Sequence, residues 1–241
     1  MPTTVRDGYI LKIKAVLFDL GDTLTTPWLL EDTFHKILLS LGINKSIEDV
    51  KRTISQTRQD LRNLDCSPKY GEASYTEYWS LWRSFVLKHL GLHDNERLLR
   101  EIEAKWSNYV ECKAHDDVKE TLLKLEENGL KTAVISTAYK EDVHTIMEKA
   151  GPQERMFDLI LGADSLEAMK PDPEAFRYAL KKLGVKPREA LFVGDDVEAD
   201  YKAAEKAGIK AVLIQRTEDS TVETCGLRVI TTLKDVLECV D

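Results

Sequence analysis

Five short runs of nearly unbroken apolar residues constrain this chain more than any other feature: Lys14–Leu20, Lys131–Ser136, Phe157–Leu161, Ala190–Gly194 and Ala211–Ile214. A strand that shows no alternation is buried on both faces, the situation of a parallel sheet covered by helices on either side. Amphipathic helical patterns separate the runs. Asp117–Asn128 places Val118, Leu122 and Leu125 on one face and stops at Gly129. Pro173–Leu183 opens on a proline and ends before Gly184, and Glu198–Ala207 ends before Gly208. Proline at a helix start and glycine just past its end fit the backbone demands of those positions. Strand alternating with helix implies βαβ units, hence an α/β fold with a doubly wound parallel sheet.

One stretch breaks the alternation. Roughly ninety residues between the first strand and the Asp117 helix carry helical periodicity throughout. Helices are expected at Leu30–Leu41, Ile47–Leu64, Tyr75–Leu90 and Asn95–Tyr109, with turns at Gly42, Ser67-Pro68 and Gly91. Trp28, Tyr70, Tyr75, Tyr78, Trp79, Trp82, Trp106 and Tyr109 are concentrated here, mostly as core of the insert. The expected organisation is a core of residues 1–25 and 113–241, interrupted by an all-helical cap domain over 26–112. A chain of 241 residues with 43% hydrophobic content is long enough to bury such a core.

Charge and hydropathy exclude several classes of partner. The net charge is -8, so a broad nucleic-acid-binding face, which needs clustered Lys and Arg, is not expected. No stretch approaches the ~20 apolar residues that span a bilayer, so no membrane association is expected. The leader MPTTVRDGYILK lacks the apolar centre of a signal peptide and the Arg/Ser character of a transit peptide. Cys66, Cys112, Cys225 and Cys239 are widely spaced, as ordinary small apolar residues of a reducing compartment. The expectation is a cytoplasmic protein, a monomer or homodimer. A charged fraction of 32% against nine Asn and Gln leans towards a heat-adapted source.

Ligands of a parallel α/β sheet bind at the carboxyl ends of the strands, so the polar residues just beyond each strand carry the functional reading. These are Asp19, Gly21, Asp22 and Thr23 after the first run, then Ser136 and Thr137 after the second. Lys170 follows the third run, and Asp195, Asp196 and Asp200 follow the fourth. Converging carboxylates, one lysine and small hydroxyls suit phosphoryl transfer. A carboxylate attacks phosphorus to form an aspartyl-phosphate. A hard cation such as Mg²⁺, held by carboxylates, neutralises the meeting of two anions. An ammonium, hydroxyls and backbone N–H groups hold the remaining phosphoryl oxygens.

Four segments then carry a family resemblance. FDLGDTL (Phe18–Leu24), AVISTA (Ala133–Ala138), MKPDPEAF (Met169–Phe176) and LFVGDDVEAD (Leu191–Asp200) resemble, in order, the four motifs of the haloacid dehalogenase-like hydrolases. The long helical insert between the first two resembles the family's C1-type cap on a Rossmann-like core. The resemblance implies Asp19 as nucleophile and metal ligand, with the Gly21 carbonyl as a second ligand. It implies that Ser136 and Lys170 bind the phosphoryl group, with Thr23 and Thr137 as further substrate contacts. Asp195 would coordinate Mg²⁺, with Asp196 or Asp200 as the other acid of the metal site. The implied activity is Mg²⁺-dependent hydrolysis of a small phosphorylated metabolite.

The chain departs from the family pattern at one place. Family phosphatases usually carry DxDGT, whose second Asp is the general acid and base; here Gly21 stands there, and Asp22 stands where the family has Gly. Loss of a general acid commonly costs about 10²–10⁴ in rate. Three readings follow: substrates with good leaving groups such as aryl or acyl phosphates, a proton from Asp22 or from Glu31, Asp32 or His35 in the cap, or a phosphate-ligand-binding protein with little turnover. Asp22 also reads as a turn residue accepting backbone hydrogen bonds. A 2-haloacid dehalogenase is the other enzymatic alternative, since halide leaves without a proton; such enzymes need no metal and usually lack the acidic fourth motif. Substrate choice is expected from the cap, with Asp65–Glu72 as a contact loop. Lys51, Arg52, Arg58, Arg62 and Lys69 read as a solvated helix face rather than as a second anion site.

Overall fold

The structure is a computed structural model and describes residues 12–64, 66, 72–92, 95–216 and 226–240. The leader up to residue 11, Cys225, and most of the expected contact loop, including Ser67-Pro68, Lys69 and Tyr70, lie outside the described residues.

Six parallel strands form one sheet: β1 (Ala15–Phe18), β2 (Lys131–Ile135), β3 (Leu159–Leu161), β4 (Ala190–Gly194), β5 (Lys210–Ile214) and β6 (Val229–Ile230). Their spatial order is β3-β2-β1-β4-β5-β6. β1 lies at the centre, with Phe18 beside Val134 of β2 and Val193 of β4. Because successive residues of a strand point to opposite faces, Val16 and Phe18 join one core while Ala15 and Leu17 join the other. Helices α5 (Val118–Glu127) and α6 (Lys140–Ala150) cover the first face; α7 (Pro173–Leu183) and α8 (Ala203–Lys206) cover the second. The chain direction reverses across the sheet at β1, so the loops after β1 and β4 part there and open a crevice.

Several boundaries have local causes. α7 starts at Asp172, whose carboxylate accepts the Glu174 N–H at 2.9 Å, and ends at Gly184 with φ 69°. The third expected strand is shorter than its apolar run, because Phe157 closes a 3₁₀ turn over Glu154–Met156. The expected Glu198–Ala207 helix is two pieces: a π-helix over Val197–Lys202 and the short α8. The N–H groups of both Asp200 and Tyr201 reach the Asp196 carbonyl at 3.1 Å, which widens that turn.

The insert forms four helices, α1 (Leu30–Ser40), α2 (Ile47–Asn63), α3 (Glu72–His89) and α4 (Glu96–Tyr109), each packed against its sequence neighbour and α4 closing back on α1. Ser46 and Asn95 cap α2 and α4 with their side-chain oxygens. Phe34, Trp82 and Trp106 meet edge-to-face in the middle, and their core is continuous with the first face of the sheet. The chain leaves and re-enters the core at one point. Thr26 N–H donates to the Lys113 carbonyl at 2.7 Å, Lys113 N–H donates to Thr26 Oγ1 at 3.0 Å, and Thr25 bridges Ala114. α9 (Leu237–Val240) ends the described chain and packs on α5.

Candidate active site

At the carboxyl end of the sheet a cavity of about 460 Å³ is lined by Asp19, Gly21 and Asp22 from the loop after β1, and by Ser136 and Thr137 from the loop after β2. Lys170, Asp195, Asp196 and Asp200 complete its polar wall, so nine of the ten residues singled out from the sequence line one space. The tenth, Thr23, does not. It is fully buried and turns its hydroxyl to Asp195 Oδ1 at 3.4 Å, a contact to a neighbouring carboxylate rather than to a ligand.

Lys170 is the centre of this group. Its buried ammonium donates to Asp19 Oδ1 at 2.5 Å and to Asp200 Oδ1 at 2.6 Å. Burial opposes the charge on Lys170, but Asp19 and Asp200 outweigh it and hold the ammonium above the ordinary lysine range. Asp200 reaches this place because the preceding glycine leaves room. A Cβ on Gly194 would lie 2.3 Å from Asp200 Oδ2. The Asp196 N–H, at 3.1 Å, holds that same oxygen.

Oxygen atoms of Asp19, Asp195 and Asp200 all lie within 4.8 Å of one another. Opposite oxygens of an ideal Mg²⁺ octahedron are about 4.2 Å apart, from a metal–oxygen distance of about 2.1 Å. Three carboxylates against one ammonium leave surplus negative charge. Burial, followed by the charges of Asp19 and Asp200, pushes the Asp195 carboxyl up to about 7. A hard dication relieves that repulsion, and the donor set fits one. Asp196 has a different position: it is exposed, and one carboxylate oxygen accepts the N–H groups of Glu198 and Ala199, both at 2.7 Å. It caps the π-helix, and Asp200 is the residue grouped with Asp19 and Asp195.

The loop after β1 accounts for Asp22. Its φ is 55°, the left-handed region, at the position where the family pattern has glycine; Asp is among the few residues that tolerate it. Burial raises its carboxyl, Asp19 adds to this, and His115 and Arg216 oppose it. Arg216 also fastens the loop, donating to the Thr23 carbonyl at 2.5 Å and to Asp117 Oδ2 at 2.6 Å. Neither His115, Asp117 nor Arg216 belongs to a local motif, and sequence reasoning missed all three. Ser136 Oγ accepts the Ala138 N–H at 3.1 Å, leaving its own proton for a ligand.

The cap residues considered as proton donors do not line the cavity. Glu31 pairs with Arg58 at 3.1 Å, His35 Nε2 bonds the Lys45 carbonyl at 2.9 Å, and Asp32 is likewise absent from the lining residues. Lys51, Arg52, Arg58 and Arg62 are exposed along α2, as a solvated face. The lining residues missed as such are Leu20, Pro27, Ala138, Ile146 and Ala199, together with Trp28, assigned mainly to the cap core.

Comparison with known proteins identifies the family. The sequence pattern of the haloacid dehalogenase-like hydrolases matches residues 13–208. Over 145 residues the chain is 34% identical to (S)-2-haloacid dehalogenase 4A of Burkholderia cepacia, covering 59% of this chain and 61% of that protein. Over 213 residues it is 25% identical to the glyceraldehyde 3-phosphate phosphatase of Methanopyrus kandleri, covering 88% of each. The crystal structure of 2-haloacid dehalogenase from Pseudomonas syringae pv. Tomato DC3000 superposes with a TM-score of 0.70 at 22% identity, covering 94% of this chain and 97% of that one; at this identity the likeness shows the fold. The matched pattern spans well over half of the 241 residues and takes in all four loops of the cavity. The chain belongs to the haloacid dehalogenase-like hydrolases.

Proposed function

We propose that this protein is a Mg²⁺-dependent phosphohydrolase acting on a small phosphorylated metabolite through an aspartyl-phosphate at Asp19. The observation that carries this reading is the close group of buried Asp19 and Asp200 with half-buried Asp195, the first two bonded to the single ammonium of Lys170. Asp19, Asp195 and Asp200 would hold the ion together with the Gly21 carbonyl; Asp196 supports them as a helix cap. When bound, Mg²⁺ supplies positive charge against the phosphoryl oxygens.

The residues divide the remaining work. Lys170 orients the Asp19 carboxylate through its hydrogen bond, and also lines the cavity where a phosphoryl oxygen would sit. Ser136 and Thr137 line the wall from which hydroxyl groups bond the other oxygens. Asp19 attacks phosphorus, the bond to the leaving oxygen breaks, and water later cleaves the acyl phosphate and regenerates the carboxylate. Of the residues considered as proton donors, Asp22 lines the cavity and the cap candidates do not. The relative from Methanopyrus kandleri is named for a phosphatase activity, which supports the same reaction class. We place the protein in the cytoplasm, as a monomer or homodimer, with residues 26–112 as the cap domain. No helix among the described residues is long and apolar enough to cross a membrane.

The test is hydrolysis of p-nitrophenyl phosphate with and without Mg²⁺ by the wild type, Asp19→Asn and Asp22→Asn. Metal-dependent turnover that disappears in Asp19→Asn is the expected result. Ligand binding with no turnover would assign the pocket to a binding protein instead. Gly21 and the similarity to the Burkholderia cepacia dehalogenase favour 2-haloacid dehalogenation as the second reading. Halide release from 2-chloropropionate without metal would select it.

A further inference from the structure

The cavity is lined by residues of two chemical kinds. Beside the acids, Lys170 and Ser136 stand apolar lining residues, Leu20, Pro27, Trp28, Ala138, Ile146 and Ala199. Trp28 lies nine residues beyond Asp19, on the connection that enters the cap. Its indole is fixed at two points. Nε1–H donates to Thr33 Oγ1 at 3.1 Å, and the ring meets Trp106 edge-on with centroids 5.9 Å apart. The one polar atom of the side chain is thus satisfied inside the protein, so what Trp28 offers the cavity is carbon surface. A locked aromatic side chain loses little entropy when a flat ligand packs on it.

The polar lining reinforces this. Among the described residues lining the cavity, Lys170 is the only cation, and both Asp19 and Asp200 are bonded to it. At position 21 a Cβ would meet nothing within 4 Å, so the space of the usual general acid is open. A phosphate ester of an ordinary alcohol must expel an oxygen whose conjugate acid has a pKa close to that of water, about 15.7, and needs a proton to do so. A phenol has a pKa of about 10 and leaves as the anion.

We propose that Trp28 is the contact surface for the leaving group and that the substrates are aryl phosphates, a proposal that rests on the phosphohydrolase reading and narrows it. The bond between an Asp19 oxygen and phosphorus forms as the P–O(aryl) bond breaks, and the electron pair stays on the phenolate. Water then attacks phosphorus and the P–O(Asp19) bond breaks. The water's protons leave with the phosphate and, through solvent, with the phenolate.

The experiment measures binding of non-hydrolysable phosphonates by calorimetry in Mg²⁺ for the wild type, Trp28→Ala and Trp28→Phe. Within each variant, methylphosphonate is the reference. The wild type should bind phenylphosphonate about tenfold more tightly than methylphosphonate, the size expected of one aromatic contact. Trp28→Ala should bring that ratio close to one, and Trp28→Phe should restore most of it. Methylphosphonate binding with no preference for phenyl, a preference that survives Trp28→Ala, or tighter binding of phosphonoacetate than of phenylphosphonate overturns the aryl assignment and leaves the phosphohydrolase reading standing. Failure of every phosphonate to bind overturns both.

Discussion

Trp79 of the cap donates its indole N–H to Oδ2 of Asp142 in the core at 3.0 Å, and Tyr75, one helical turn earlier on α3, donates its hydroxyl to Oδ1 at 3.2 Å. Asp142 is nearly inaccessible, and Tyr139 packs beside it against Tyr75 and Tyr78. The helical insert is therefore bonded to the core on α6, whose start lies four residues beyond Ser136. Removing the carboxylate leaves two half-buried donors unpaired, at about 1–3 kcal/mol for such a group. Asp142→Ala should lower the unfolding free energy by that amount, measured by urea denaturation, while Asp142→Asn should lose less.

The same contact gives a pH dependence. Burial pushes the Asp142 carboxyl from 3.8 up to about 7; Trp79 and Tyr75 pull it down, and Glu141 and Asp164 push it up. Tyr75 itself is pushed far above its ordinary range and stays a donor. Because the folded value lies above the unfolded one, this contribution to stability is fully present below about 3.8 and is lost as pH rises through about 7. The wild type should therefore lose stability relative to Asp142→Asn between pH 5 and pH 8. Parallel stability curves for the two proteins over that interval would refute the titration.

Gly194→Ala isolates the placement of Asp200. The new Cβ would sit 2.3 Å from Oδ2 and 2.4 Å from Cγ of Asp200, so the carboxylate must move off Lys170. Groups that orient ligands typically change metal affinity by about 10–100-fold when disturbed. A loss of that size should appear in a Mg²⁺ titration of the variant, with the far-ultraviolet dichroism unaltered.

Gly21→Asp asks whether the missing acid limits the reaction. Its Cβ meets nothing within 4 Å, and its φ is outside the left-handed region. A carboxyl there should raise kcat/KM on alkyl phosphates by about 10²–10⁴, the usual worth of general acid catalysis. The gain on p-nitrophenyl phosphate should be much smaller, since nitrophenolate needs no proton. Equal gains on the two substrates would mean that the new carboxylate acts otherwise than as an acid.

Arg216→Ala tests how the loop after β1 is held. The guanidinium spans the Thr23 carbonyl and Asp117, and Asp117 also accepts from Thr232 and Leu233 near the end of the chain. The variant should lose about 1–3 kcal/mol of stability through the partners left unpaired. Urea denaturation of the variant beside the wild type measures that loss.

Legibility in the sequence followed the range of the interaction that fixes each element. α7 was readable residue by residue because Pro173 and Gly184 mark its ends and Asp172 caps it locally. The polar residues beyond β1, β2 and β4 were readable because a parallel sheet brings those ends together. α6 was not picked out, since Tyr139 supplies no side-chain cap and the helix depends on burying Val143, Ile146 and Met147. The choice between Asp196 and Asp200 was also hidden. It turns on the π-helical turn and on the empty space at Gly194, neither of which has a periodic signature. The Trp79–Asp142 bond joins residues 63 positions apart, and no local pattern announces it.

The junction of cap and core carries a consequence for how such a chain can change over time. Thr26 and Lys113 are hydrogen-bonded neighbours, so the ends of the insert meet where the core chain passes. The insert hangs on the core path as a loop whose ends meet, held besides by the Trp79 and Tyr75 bonds to Asp142, and a short turn could close that path in place of the helices. Because lengthening a loop whose ends already meet adds only about 0.6 kcal/mol of closure entropy per doubling, the helices are an exchangeable module. Substrate preference can be rewritten there by insertion and replacement, while the strands that hold Asp19, Lys170 and Asp195 are left as they are.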